Sequence, residues 1–183
     1  MPITSFVFAV AAVLPIIPAA PAAPASPDPP PAPLPHVRPL DPAARELFRV
    51  GLLRSTSLAK LRDELDRSNV VVYISVECVM ATRGALGFVN RTPPSTYLIA
   101  RVICMRSEEE RIAALAHELR HALEVAAATP AIASAADFER LYRSIGFEWR
   151  RNEYETRAAQ ITEGAVRQEL LAAATRQRQR SDP

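Results

Sequence analysis

The order of patterns along this chain predicts an α+β domain, on three observations. Residues 69–78 (NVVVYISVEC) and 96–104 (TYLIARVIC) are rich in β-branched side chains, and a shorter candidate strand, residues 86–90, lies between them. In residues 107–127, apolar side chains recur at Ile112, Leu115, Ala116, Leu119, Ala122, Leu123 and Ala126, a spacing near that of a helix. The strands are grouped mid-chain, with helical patterns before and after them. Grouping of that kind predicts a small antiparallel sheet packed with one central helix and further helices.

Composition divides the chain before any element is placed. Of its 183 residues 49% are hydrophobic, enough for one domain with its own core, yet 13 of the 17 prolines fall within the first 42 positions. Residues 1–25 read as a signal peptide: the apolar run 6–17 (FVFAVAAVLPII) is followed by Ala-x-Ala sites at 20–22 and 23–25. The run is too short, and too interrupted by Pro15 and Pro18, for a stable membrane span. No Lys or Arg precedes it, which leaves an uncleaved anchor as the alternative. Residues 26–40 read as a Pro-rich, disordered tether in which His36 is a solvated side chain. Residues 41–183 then form the domain, expected to be exported, periplasmic or extracellular.

Within the domain, Asp41 as N-cap with Pro42 at the first helical position opens a short helix through Phe48. Ser57 opens a second, with Leu58, Leu61 and Leu65 on one side. The strands follow, the last two separated by a turn at Pro93-Pro94. Cys78 and Cys104 stand near strand ends. They either pair in an oxidising compartment, closing a loop worth about 3 kcal/mol, or remain two buried thiols. Their spacing is unlike C-x-x-C and argues against a cysteine zinc site. Ser134 caps a later helix that packs through Phe138, Leu141 and Tyr142 and stops at Gly146. The last helical pattern, residues 152–178, aligns Glu155, Ala158, Ala159, Thr162, Val166, Leu170 and Ala173.

The chemistry concentrates at His117-Glu118-Leu119-Arg120-His121. Ser107 and Glu110 form a capping box that starts this helix, so the two histidines, four residues apart, project to one side and can meet one metal ion. Glu118, rotated about 100° from its neighbours, suits a general base that contacts water rather than the metal. The plain alternative is an exposed polar face carrying two histidines. Against it, the chain has only three histidines, and two fall at this spacing on a helix of Ala and Leu. A third ligand is expected at Glu155, heading the inward side of the last helix before the small-residue stretch Thr156-Arg157-Ala158-Ala159. Glu153 is the runner-up but would point to another side of a helix. Glu124 would lie a turn beyond His121 and is discounted.

H-E-L-R-H followed, 34 residues after its second histidine, by Glu155 resembles the zincin metallopeptidases and, among them, the thermolysin-like gluzincins. The resemblance spans about residues 96–170. It implies Zn2+ held by His117, His121 and Glu155, with Glu118 activating the zinc-bound water. It also implies a peptide or protein substrate aligned by an edge strand. The metzincin pattern is excluded, because Glu124 and Ala127 stand where that family has glycine and its third histidine. Thermolysin-like proteins also carry an aspartate four residues after the ligand glutamate, where this chain has Ala159. The residue that stabilises an oxyanion is open among Tyr142, Tyr154 and Arg157. A balance of 22 basic and 20 acidic residues gives no basis for a nucleic-acid partner. The basic cluster at residues 176–180 complements a helix end. The competing functional class is a non-catalytic, metal-stabilised or helical partner-binding module of the cell envelope.

Overall fold

The computed structural model describes residues 34–150 and 153–181; the signal-peptide reading and residues 26–33 of the tether lie outside the described residues. The chain joins the fold earlier than its proline content suggests. Val37–Pro39 form a short strand, β1, with Val37 buried. Proline is accepted there because β1 lies at a sheet edge, where one side needs no ladder bond. His36 is packed rather than solvated. Its Nδ1 lies 2.9 Å from the Leu65 carbonyl oxygen, and its backbone N–H donates to Asp66 Oδ1 at 2.7 Å.

Helix α1 (Pro42–Arg54) starts where the cap predicts, with Asp41 Oδ1 accepting from Ala44 N at 2.8 Å. It runs past Phe48 because the next cap is Ser55, not Ser57. Ser55 Oγ accepts from Leu58 N at 3.0 Å to open α2 (Thr56–Asp66), while its own N–H donates to Gly51 O and closes α1.

Strands β2 (Val70–Glu77), β3 (Gly84–Thr92) and β4 (Ser95–Ile103) complete a sheet of order β1-β2-β4-β3. The sheet is mixed, which corrects the antiparallel expectation. Only β3 and β4 are antiparallel; β2 pairs in parallel with β1 and with β4, from Val70↔Thr96 to Glu77↔Ile103. Burial accounts for the order. β2 buries Val70, Val71, Val72 and Ile74, and β4 buries Thr96, Leu98, Ala100 and Val102, so the most apolar strands take the centre. β3, with exposed Val89 and Asn90, takes the edge. Parallel pairing also sets the residues just past β2 and β4 side by side. Cys104 N donates to Glu77 O at 2.8 Å, and Cys78 and Cys104 are joined in a disulfide with Cα atoms 4.9 Å apart.

Helix α3 (Glu108–Ala127) begins with the Ser107–Glu110 capping box, and every residue from Ile112 to Leu119 is buried. Alanines at 113, 114, 116 and 122 let the sheet on one side and a later helix on the other come close. Ser134 caps α4 (Ala135–Ile145), which Gly146 ends. A hairpin of β5 (Phe147–Arg150) and β6 (Glu153–Glu155) then precedes α5 (Arg157–Ser181). The last helical pattern thus starts later than residue 152. The architecture is α+β, and no helix among the described residues is long and apolar enough to cross a membrane.

Replacing both cysteines by serine should lower the unfolding free energy by about 3 kcal/mol, because a loop of 26 residues' separation is released. Urea unfolding of the double variant measures this; an unchanged midpoint would remove the disulfide from the domain's stability.

Candidate metal centre

His117 and His121 lie one turn apart on α3, both buried, with ring centroids 4.7 Å apart. Each ring has a carboxylate behind its Nδ1. His121 Nδ1 is 2.9 Å from Glu124 Oε2. His117 Nδ1 is 3.2 Å from Glu163 Oε2 on α5, within ion-pair reach though off the line of a hydrogen bond. A carboxylate oxygen only accepts, so these neighbours favour the proton on each Nδ1. The Nε2 atoms then face each other as lone pairs at 3.1 Å, which is repulsive unless a cation or a proton lies between them.

Glu155 supplies the third donor. Its Oε2 is 3.2 Å from His117 Nε2 and is buried without a hydrogen-bond partner. His117, His121 and Glu155 thereby place one donor atom each within 4.8 Å of the others, a set that could hold a metal ion. Donors 2.0–2.1 Å from a tetrahedral ion stand roughly 3.3 Å apart. The separations of 3.1 and 3.2 Å fit that spacing. A proton can take the same place. Burial disfavours charge on His117, but Glu155 and Glu163 outweigh it and lift the imidazole to about 10. The facing His117 ring, with Arg167 and Arg83, holds Glu163 down at about 2 despite its burial.

Glu155 arrives by a different route from the one its sequence context suggests. It ends strand β6, paired with Phe147, rather than heading a helix. Thr156 fixes it there. The Thr156 hydroxyl accepts from Ala159 N at 3.2 Å, capping α5, and donates to Glu124 Oε1 at 2.7 Å, tying α5 to α3. Glu124 is therefore no ligand but the group that orients His121. Burial works against its ionisation, yet the bonds from His121 and Thr156 outweigh this and lower its pKa. Glu153 also lines the cleft but lies outside the donor cluster, about 6.6 Å back along the strand from Glu155.

Glu163 escaped the sequence reading. Its signal was present: Ala159, Glu163, Val166 and Leu170 recur at helical spacing as the buried stripe of α5, and a carboxylate interrupts three apolar residues. Arg83 and Arg167 hold its other oxygen at 2.8 and 2.7 Å. At the position four residues after Glu155, Ala159 is fully buried, and the carboxylate behind His117 comes from one further turn along α5.

Glu118 is buried beside the histidines and faces a cleft of about 630 Å³. Burial raises its carboxyl above the usual range, and the two imidazoles pull it part of the way back. The start of β3 forms one wall of the cleft; Trp149 and Tyr154 of the hairpin line another part. Tyr142 donates its hydroxyl to the His121 carbonyl at 2.8 Å and packs edge-on against that ring, so this hydroxyl is committed to the scaffold. Tyr154 accepts from Arg143 Nε at 2.9 Å at the cleft wall, while Arg157 is exposed and does not line the cleft. Comparison with known proteins finds no family model, no curated protein and no solved structure that matches this chain.

The Glu163–His117 pair makes the stability of metal-free protein depend on pH. Its contribution is present above 4.5, the ordinary value for Glu163, and lost as pH falls through about 2. On the alkaline side the stability that His117 gains from Glu155 and Glu163 together is present below 6.5, its ordinary value, and lost as pH rises through about 10. Glu163→Gln should flatten the acid limb of the thermal midpoint against pH and shorten the alkaline one, since Glu155 remains. Identical limbs in variant and wild type would remove the pair from the stability of the domain.

Proposed function

We propose that this chain is a zincin-like, zinc-dependent peptidase that hydrolyses peptide bonds in a peptide or protein substrate. The observation that supports it most is the convergence of two imidazole lone pairs and one unpartnered carboxylate oxygen beside a further buried carboxylate, Glu118. His117, His121 and Glu155 would hold the zinc, and three protein ligands leave a position open, as in catalytic rather than structural sites. Bound zinc supplies Lewis acidity, polarising the scissile carbonyl and making water more acidic.

The chain's own residues supply the rest. Glu163 and Glu124 hold the protons at Nδ1 of His117 and His121, which keeps both Nε2 atoms available as donors. Glu118 takes a proton from the attacking water as its oxygen bonds to the carbonyl carbon. It returns that proton to the amine nitrogen as the C–N bond breaks. β3 is an edge strand whose first residues line the cleft, so its unpaired backbone groups can align an extended peptide by strand addition. The Cys78–Cys104 disulfide supports an exported setting, periplasmic or extracellular.

The test separates holding the ion from moving the proton. Glu118→Ala should keep its zinc and lose hydrolysis, proton transfer alone contributing roughly 10²- to 10⁴-fold. His117→Ala, His121→Ala and Glu155→Ala should each lose zinc, while Glu153→Ala should change neither property. Atomic emission on the purified proteins, beside cleavage of a broad peptide library, reads both. Wild-type protein that takes up no zinc under metal-replete conditions would sink the proposal.

A further inference from the structure

Gly84, the first residue of β3, stands directly against the carboxylate of Glu118. A Cβ built on Gly84 would lie 2.5 Å from Glu118 Oε1 and 3.2 Å from its Cδ and Cγ, so no side chain fits between strand and carboxylate. Backbone freedom is not what glycine supplies here, since no glycine among the described residues has a positive φ. It supplies space. At Gly164 an added Cβ would meet nothing within 4 Å, and at Gly87 its nearest neighbour would be at 3.3 Å.

Neither the strand nor the helix is free to retreat from this contact. Thr82 Oγ1 donates to Gly84 O at 2.8 Å, Ile103 N donates to Arg83 O at 3.1 Å, and Gly84 pairs in register with Val102. The loop that leads into β3 is anchored at its far end by the Cys78–Cys104 disulfide. On the other side, α3 is buried at every residue from Ile112 to Leu119. The soft part of the contact is the end of the Glu118 side chain.

We propose that Gly84 is the positioning residue for Glu118: the bare backbone at the start of β3 sets where that carboxylate stands relative to the His117, His121 and Glu155 donors. Any side chain at position 84 displaces the carboxylate and leaves those donors in place. This rests on the reading of Glu118 as the base, and it adds a requirement on the edge strand that the ligand set does not contain.

Gly84→Ala tests it. The variant should keep the zinc content of the wild type. On any peptide that the wild type cleaves, kcat should fall about 100-fold, the scale of a misplacement near 1 Å, with KM little changed. In a Glu118→Ala background the same substitution should lower the residual rate no further, whereas a general disturbance of the fold would lower it again. Crystal structures of wild type and Gly84→Ala should show Oε1 moved off β3 with the backbones of β3 and α3 superposing. An unmoved carboxylate, or a shifted strand, overturns the proposal. Should Gly84→Ala not fold, the double variant with Glu118→Ala should fold, since the clashing group is gone; its failure also overturns the proposal. Should the wild type cleave no peptide, the peptidase reading falls, and the crystallographic comparison still decides whether Gly84 places the carboxylate.

Discussion

Two imidazole nitrogens held 3.1 Å apart, each backed by a carboxylate on the far side of its ring, set the terms for the rest of this domain. Removing an ionisable group from water costs several kcal/mol unless a partner offsets it. His117, Glu118, His121 and Glu163 are all buried, so each needs its counterpart at a defined place. The counterparts come from separate parts of the chain: Glu124 from α3 itself, Glu155 from β6, Glu163 and Arg167 from α5, and Arg83 from the loop before β3. No helix taken alone could satisfy them.

Close approach makes that convergence possible. α3 carries alanine at the positions that meet the sheet and α5, which brings their backbones near enough for side chains as short as Thr156 and Glu124 to bridge the two helices. Thr156 does two jobs with one hydroxyl. It caps α5 and pins the start of that helix to the carboxylate that orients His121. A change in where α5 begins would therefore move Glu155 and loosen His121 together.

The sheet topology gives the cluster its access. Placing the two most apolar strands, β2 and β4, in the centre leaves β3 at the edge, and antiparallel pairing sets the start of β3 opposite the end of β4, beside Glu118. The same parallel β2–β4 pairing puts Cys78 next to Cys104 and ties down the loop that carries Arg83 and leads into Gly84. One packing decision, which strands take the centre of the sheet, thus governs the cleft wall, the disulfide and the brace on Glu163.

By itself the sequence determined the α+β class, the capped α3 helix and the pairing of His117 with His121 around Glu118, because those features depend on residues within one or two helical turns. It also carried the caps at Asp41 and Ser134, which act through neighbours three residues away. What only the tertiary structure decided depends on segments far apart in the chain. Strand order is set by total burial and not by succession, so β4 inserts beside β2. Glu155 takes its place from a hairpin, because strand pairing with Phe147 outweighs the helical pattern that follows it. Glu163 gains meaning only where α5 lies against His117, since a buried carboxylate is tolerated where another segment brings the opposite charge.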